Sequence, residues 1–180
     1  MSKKQIIIGV TGSVAAYRAC DIISKLRQLG HNVTVVMTKE AKEFVTPLLL
    51  SHISSNEVYS DMFELPKVYN PTHISLAEKA DLVIIAPATA NVIAKLANGI
   101  CDDLLTCVAI STKADILIAP AMNNNMYMHK ATQENIKRLK SFGYKFVGPI
   151  KGRLACGTVG IGHIADTQDI IKQAQKLLLQ

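Results

Sequence analysis

Tryptophan is absent from this 180-residue chain, and aromatic residues of every kind make up only 5% of it. A surface that grips nucleic acid by stacking interleaves aromatics with clustered cations, whereas the basic residues here are scattered along the chain. Nucleic acid is therefore not the expected partner behind the net charge of +6. A small anionic ligand or substrate accounts for that charge equally well, and so does a merely basic surface. Long hydrophobic runs are also missing. The longest, residues 82–87 and 116–121, fall far short of the roughly 20 residues that a membrane-spanning helix requires. The apolar run at residues 6–10 is too short for a secretory signal and lacks a cleavage site, so a cytoplasmic location without membrane attachment is expected. Cysteine is sparse, at positions 20, 101, 107 and 156, and no two form a CxxC pair. That spacing offers neither a zinc knuckle nor a thioredoxin-type site, and no metal is expected. Cys20, Cys101 and Cys107 lie in apolar helical patterns and read as small buried hydrophobes, reduced in a cytosolic setting.

What is present is enough apolar material for a substantial core: 49% hydrophobic against 19% charged residues. A single domain over residues 1–180 is expected. Apolar, β-branched runs predict strands over 5–10, 33–37, 82–86 and 115–119, with shorter ones near Val58 and over 145–147. Apolar residues at helical spacing predict a helix over 15–29 closed by Gly30, and another over 39–51 in two pieces broken near Pro47. Further helices are predicted over 91–97, 103–110, 131–142 and 169–179. Residues 54–71 read as irregular apart from the strand near Val58. Strand and helix alternate throughout, which predicts an α/β fold: a three-layer, Rossmann-like (flavodoxin-like) parallel sheet with helices on both faces. Ligands of such folds sit beyond the carboxyl ends of the strands.

The segments that follow the strands are accordingly the informative ones. Residues 9–16 carry Gly12 and Ser13 between the first strand and its helix, where backbone N–H groups and the Ser13 hydroxyl can cradle a phosphate. The spacing is not GxGxxG. The second strand ends in Met37-Thr38-Lys39, with no acid at its tip to grip a ribose diol, and Glu40 reads as the start of a helix. These features favour a mononucleotide over a dinucleotide. Pro87-Ala88-Thr89-Ala90-Asn91 is either a second anion nest or an ordinary helix cap made by Thr89 or Asn91. Residues 120–127 contain Asn123, Asn124 and Asn125 in a row. One asparagine is explained by capping, but three are not, and an amide can donate to a carboxylate while accepting from a neighbour. His73 falls in a loop before an apolar segment, whereas His31, His52, His129 and His163 read as structural or surface residues. Five of the ten glycines lie between Gly148 and Gly162, around Cys156. That composition suits a mobile flap carrying a reactive thiol over a bound substrate.

Taken in order and over nearly the whole length, these motifs resemble the homo-oligomeric flavin-containing cysteine decarboxylases. The carriers are the Gly12-Ser13-Val14-Ala15-Ala16 turn, His73, residues 87–91 in place of PASANT, residues 120–127 in place of PxMNxxMW, and Leu154-Ala155-Cys156-Gly157. The last belongs to the branch that serves coenzyme A biosynthesis, because relatives that act on peptide C-terminal cysteines lack this thiol. The resemblance implies a lyase that decarboxylates 4′-phospho-N-pantothenoylcysteine to 4′-phosphopantetheine. The substrate thiol becomes a thioaldehyde, carbon dioxide leaves to give an enethiol, and the enethiol is reduced. FMN would be held by Gly12, Ser13, Val14, Thr38, Thr89, Ala90, Asn91 and Ala121. The resemblance assigns His73 as base, Cys156 as proton donor, and Asn123 to the substrate carboxylate. Met122, Arg153, Leu154 and Ala155 would contact substrate. It further implies trimers, in some members assembled into dodecamers, with flavin sites near subunit contacts. A separate phosphopantothenate–cysteine ligase is expected on another polypeptide. Flavin prenyltransferases share the fold but not the His73, Asn123 and Cys156 set, and phosphatase-binding relatives carry acidic extensions that this chain lacks. Tyr127 replaces the family's usual Trp, Thr89 stands where Ser is common, His163 stands where Arg is usual, and Ala165-Asp166 replaces an acidic-Pro pair.

Overall fold

The β-branched run at the start of the chain forms β1 (Gln5–Val10), buried from its second residue onward because no polar side chain interrupts either face. The computed structural model describes residues 3–63, 71–155 and 157–179. After β1 come α1 (Arg18–Gln28), β2 (Asn32–Met37), α2 (Pro47–Ser54), the two-residue β3 (Val58–Tyr59) and α3 (Thr72–Lys79). The second half continues with β4 (Leu82–Ala88), α4 (Ala90–Ala97), α5 (Leu104–Ser111), β5 (Asp115–Pro120), α6 (Asn124–Met128) and α7 (Lys130–Ser141). It ends with β6 (Lys145–Phe146), β7 (Ile150–Arg153), β8 (Val159–His163) and α8 (Thr167–Leu177). Strands β1 to β6 form one parallel sheet in the order β3-β2-β1-β4-β5-β6.

Alternate residues of the central strands feed two cores. Ile6, Ile8, Leu82 and Ile84 pack with Ile22 and Ile23 of α1, Leu50 of α2 and Ile170 of α8. Ile7, Val83 and Ile85 pack on the other face with Ile93 of α4, Leu105 of α5 and Leu139 of α7. The three-layer expectation is met. All seven residues of β4 are buried, each large one contributing about 1.5–3 kcal/mol by burial. The chain leaves β1 toward β2 on one side and returns to β4 on the other, so a crevice opens at the carboxyl ends of these two strands.

The two helical pieces expected over 39–51 are present as a 3₁₀ turn over Lys39–Glu43 and as α2, with the break just before Pro47, which starts α2 while the Thr46 hydroxyl accepts from Leu49 N at 3.1 Å; the missing N–H of proline costs nothing there. Other elements differ from their sequence expectations. His73 lies in the first turn of α3 and not in a loop. The glycine-rich flap is an antiparallel hairpin of β7 and β8, with Gly157 at φ +85° in the connection. Cys101 is exposed in the link between α4 and α5, outside any helix, because Asp102 and Asp103 end the apolar pattern. Cys107 is buried on α5 as expected, and Cys20 is half-buried on α1, where burial pushes its thiol pKa up.

Candidate functional site at the carboxyl ends of the strands

The crevice between β1 and β4 is stitched by a residue that the motif reading passed over. Buried Thr11 donates its hydroxyl to the Pro87 carbonyl at 2.7 Å and accepts from Thr89 N at 3.2 Å. The loop after β1 and the loop after β4 are thereby held in one arrangement. Ser13 then caps a 3₁₀ turn over Val14–Tyr17, its hydroxyl accepting from Ala15 N at 3.3 Å. Gly12 is dictated by packing: a Cβ there would crowd the Glu40 side chain. Thr89 caps α4 by accepting from Val92 N at 3.4 Å, so the cap reading of that loop holds, with Thr89 and not Asn91 as the cap.

The three asparagines after β5 divide their work. Asn123 caps α6, its side-chain oxygen accepting from Asn125 N at 2.8 Å. Asn124 holds the hairpin, its oxygen accepting from Ile161 N at 3.0 Å. A second tie joins the same loop to β8, Met122 N donating to the Gly162 carbonyl at 3.0 Å. Gly162 has φ +138°, and a Cβ on it would overlap the Met122 carbonyl oxygen. Gly160 is equally constrained, since a Cβ there would meet the Asn124 side chain.

These ties close a cavity of about 530 Å³. The turn contributes Ser13, Val14, Ala15 and Tyr17, the loop after β5 contributes Ala121, Met122 and Asn123, and the hairpin contributes Arg153, Leu154, Ala155, Gly162, His163 and Ile164. Among these residues Arg153 is the cation and no carboxylate is present, so the cavity favours an anionic ligand. His163 hydrogen-bonds through Nδ1 to the Ile164 carbonyl at 2.8 Å, which fixes the ring.

Of the expected site residues, Ser13, Val14, Ala121, Met122, Asn123, Arg153, Leu154 and Ala155 therefore meet around one cavity. Gly12, Thr38 and Thr89 on the neighbouring strand-end loops, and Ala90 and Asn91 in the first turn of α4, do not line it. His73, half-buried on α3, does not line it either; α3 packs against α5. Cys156 lies outside the described residues. Thr38 is 7% exposed and its hydroxyl has no partner among the described residues, although its N–H donates to the Val10 carbonyl at 3.0 Å. An unmatched buried hydroxyl beside the tip of β1 fits the ribityl or phosphoryl oxygen of a flavin mononucleotide. Tyr17 and His163 at the cavity were not expected as site residues; only the departure of His163 from the family pattern pointed toward it.

A family model described as Flavoprotein matches residues 1–179. The coenzyme A biosynthesis bifunctional protein CoaBC of Bacillus subtilis (strain 168) is 48% identical over 179 residues, which is 98% of this chain and 43% of that protein. The chain thus spans less than half the length of that relative. The probable phosphopantothenoylcysteine decarboxylase of Streptococcus mutans serotype c is 45% identical over 179 residues, covering 97% of this chain and 99% of its own length. Among solved structures, a cysteine-to-serine mutant of PPC decarboxylase complexed with pantothenoylaminoethenethiol superposes with a TM-score of 0.89 at 29% identity, covering 99% of this chain and 100% of that one. The FMN binding protein AtHal3 superposes at 0.83 with 31% identity, covering 97% and 96%.

Proposed function

From the premise that this chain belongs to the flavoprotein family, we propose that it is an FMN-dependent carboxy-lyase that converts 4′-phospho-N-pantothenoylcysteine to 4′-phosphopantetheine in coenzyme A biosynthesis. The observation that carries this reading is the cavity, with no carboxylate among the described residues that line it, in which the Ser13 turn, Asn123 and the Arg153–Ala155 end of the hairpin converge. Support comes from the likeness to a PPC decarboxylase complexed with pantothenoylaminoethenethiol. Gly12, Ser13, Val14, Thr38, Thr89, Ala90, Asn91 and Ala121 would hold FMN across the strand ends. When bound, FMN supplies the two-electron oxidation and return reduction that let the substrate's own sulfur accept electrons as carbon dioxide leaves.

The chain's residues bind, orient and move protons. Asn123 holds the substrate carboxylate, and Met122 packs beside it. Arg153 places a positive charge over the anionic substrate, while Leu154 and Ala155 exclude water from the reacting carbon. Cys156 delivers a proton from Sγ to the enethiol carbon, and His73 takes up a proton at its ring as the base. Since His73 does not line the cavity of its own chain, the reading requires a homo-oligomer, a trimer or an assembly of trimers, in which His73 of a neighbouring copy faces the cavity. The exposed Val14 and Tyr17 at the cavity, each 55% exposed, suit such a contact. The ligase that makes the substrate would be a separate partner, and the site of action the cytoplasm; among the described residues no helix is long and apolar enough to cross a membrane.

The test is the mass of the product released from 4′-phospho-N-pantothenoylcysteine. Loss of carbon dioxide alone is expected from the parent protein, and a product two hydrogens lighter from Cys156→Ser. Saturated product at the parental rate from Cys156→Ser removes that thiol from the donor role. Colourless protein that FMN cannot reconstitute ends the proposal as a whole.

A further inference from the structure

The hairpin brings a second ionisable side chain to the cavity, and the proposed reaction leaves it unused. His163, the last residue of β8, lines the cavity together with Arg153, and no carboxylate is among the described residues that do so. Its ring is held twice. Nδ1 lies 2.8 Å from the Ile164 carbonyl oxygen. A carbonyl oxygen only accepts, so Nδ1 carries a proton in either charge state, and the neutral ring keeps its lone pair on Nε2. The ring also packs on Gly152 of β7, where a Cβ would stand 3.2 Å from His163 Cγ and 3.4 Å from Cδ2. The backbone just before the ring is fixed in turn, because Met122 N donates to the Gly162 carbonyl at 3.0 Å. Nε2 forms no hydrogen bond among the described residues, so a ligand is what it has left to meet. The charged and titratable groups on the surrounding elements are Lys151 and Arg153 on β7, Tyr17 on the turn after β1, Tyr127 on α6 and Asp166 just before α8.

We propose that His163 Nε2 grips the phosphate monoester of the substrate through one shared proton. This rests on the phosphorylated substrate proposed above and adds how its phosphate is recognised. The ring stands on the hairpin and not on the strand-end loops assigned to FMN, which makes the substrate the source of the phosphate. A free phosphate monoester takes its second proton near about pH 6, and an ordinary imidazole takes its own near about pH 6.5. Protonated imidazole against the dianion, and neutral imidazole against the monoanion, contain the same single proton, held between Nε2 and a phosphoryl oxygen. Above both values the separated partners lack that proton. Binding then takes it from water, and affinity falls as pH rises. Arg153, which stays charged throughout, gives the opposite sign by itself: it favours the dianion, so affinity would rise through about pH 6.

The experiment is calorimetric titration of the FMN-loaded full chain with 4′-phosphopantetheine and with pantetheine, in buffers of different ionisation heat. At about pH 7.5 the phosphorylated ligand should take up roughly half a proton or more per site. Its affinity should fall about tenfold between about pH 6.5 and about pH 8.5. Pantetheine should show neither effect. His163→Gln should lose the proton uptake, and His163→Arg should lose it while binding tighter than the parent at about pH 8.5. The parent's proton count decides by itself should a variant not fold. The proposal is overturned by proton release, by equal uptake with pantetheine, by uptake that persists in His163→Gln, or by failure of both ligands to bind. Proton uptake on FMN binding to FMN-free protein that vanishes in His163→Gln assigns the ring to the cofactor's phosphate and also overturns it. Carbon dioxide release is read separately, so loss of the grip leaves the decarboxylase reading standing, and binding with proton uptake but no carbon dioxide release fails that reading alone.

Discussion

Thr38 buries a hydroxyl and gives it no partner among the described residues, so one functional claim can be separated from stability at this position. An unsatisfied buried hydroxyl costs about 1–3 kcal/mol, and replacing it with a methyl of the same shape is neutral or stabilising. Thr38→Val should therefore leave the thermal midpoint of FMN-free protein unchanged or higher. If the hydroxyl serves FMN, the dissociation constant read by flavin fluorescence quenching should rise about tenfold, the value of one hydrogen bond. Unchanged FMN affinity would remove Thr38 from the site. His31, 5% exposed, also buries both ring nitrogens without a partner among the described residues. Burial holds its pKa below the usual histidine value, outweighing the opposite pull of Asp81. The unfolded chain then binds the proton more readily than the folded one. Stability is full above the unfolded value of about 6.5 and declines as pH falls below it toward the folded value. His31→Leu should abolish that decline, seen as equal urea midpoints at about pH 7.5 and about pH 5.5 where the parent loses stability.

At the scale of elements, the hairpin of β7 and β8 depends on a few backbone positions. Gly162→Ala forces a side chain into the Met122 carbonyl at a φ of +138°, a strain of about 1–3 kcal/mol. The hairpin should then detach from the loop after β5 while the sheet stays intact. The expected result is rapid proteolytic nicking within 150–163, a raised KM and a nearly parental circular dichroism spectrum. Which elements were legible in the sequence follows from what each one buries. β1, β4 and β5 are apolar runs with glycine or proline at their ends, and the sequence alone placed them almost to the residue. α3 and α6 were not legible, because α3 buries only Ala77 and α6 buries nothing, so neither carries a helical apolar stripe. The hairpin was legible as a glycine-rich segment but not as strands, since Gly152, Gly160 and Gly162 occupy positions where β-branched residues would have signalled pairing.

At the scale of the molecule, the loops after the strands could be read as ligand-bearing because parallel α/β sheets place ligands there. Asn123 and Arg153–Ala155 indeed share one cavity. The position of His73 could not be read that way, since it depends on how α3 packs on α5 and on what copies of the chain do to one another. Subunit mixing tests it. His73→Asn and Asn123→Ala should each be inactive alone. Co-refolded, they should recover a measurable part of the parental rate, because some cavities then combine an intact His73 with an intact Asn123. No recovery in mixed oligomers of confirmed composition would assign His73 to its own chain. A final consequence follows from the loop after β5, which aims Asn123 into the cavity and, one residue later, fastens Asn124 to the Ile161 backbone. If Asn123 grips the substrate carboxylate as proposed, that grip lies one residue from a tie that already fastens the hairpin without ligand, so an analogue lacking the carboxylate should bind more weakly while the hairpin stays fastened.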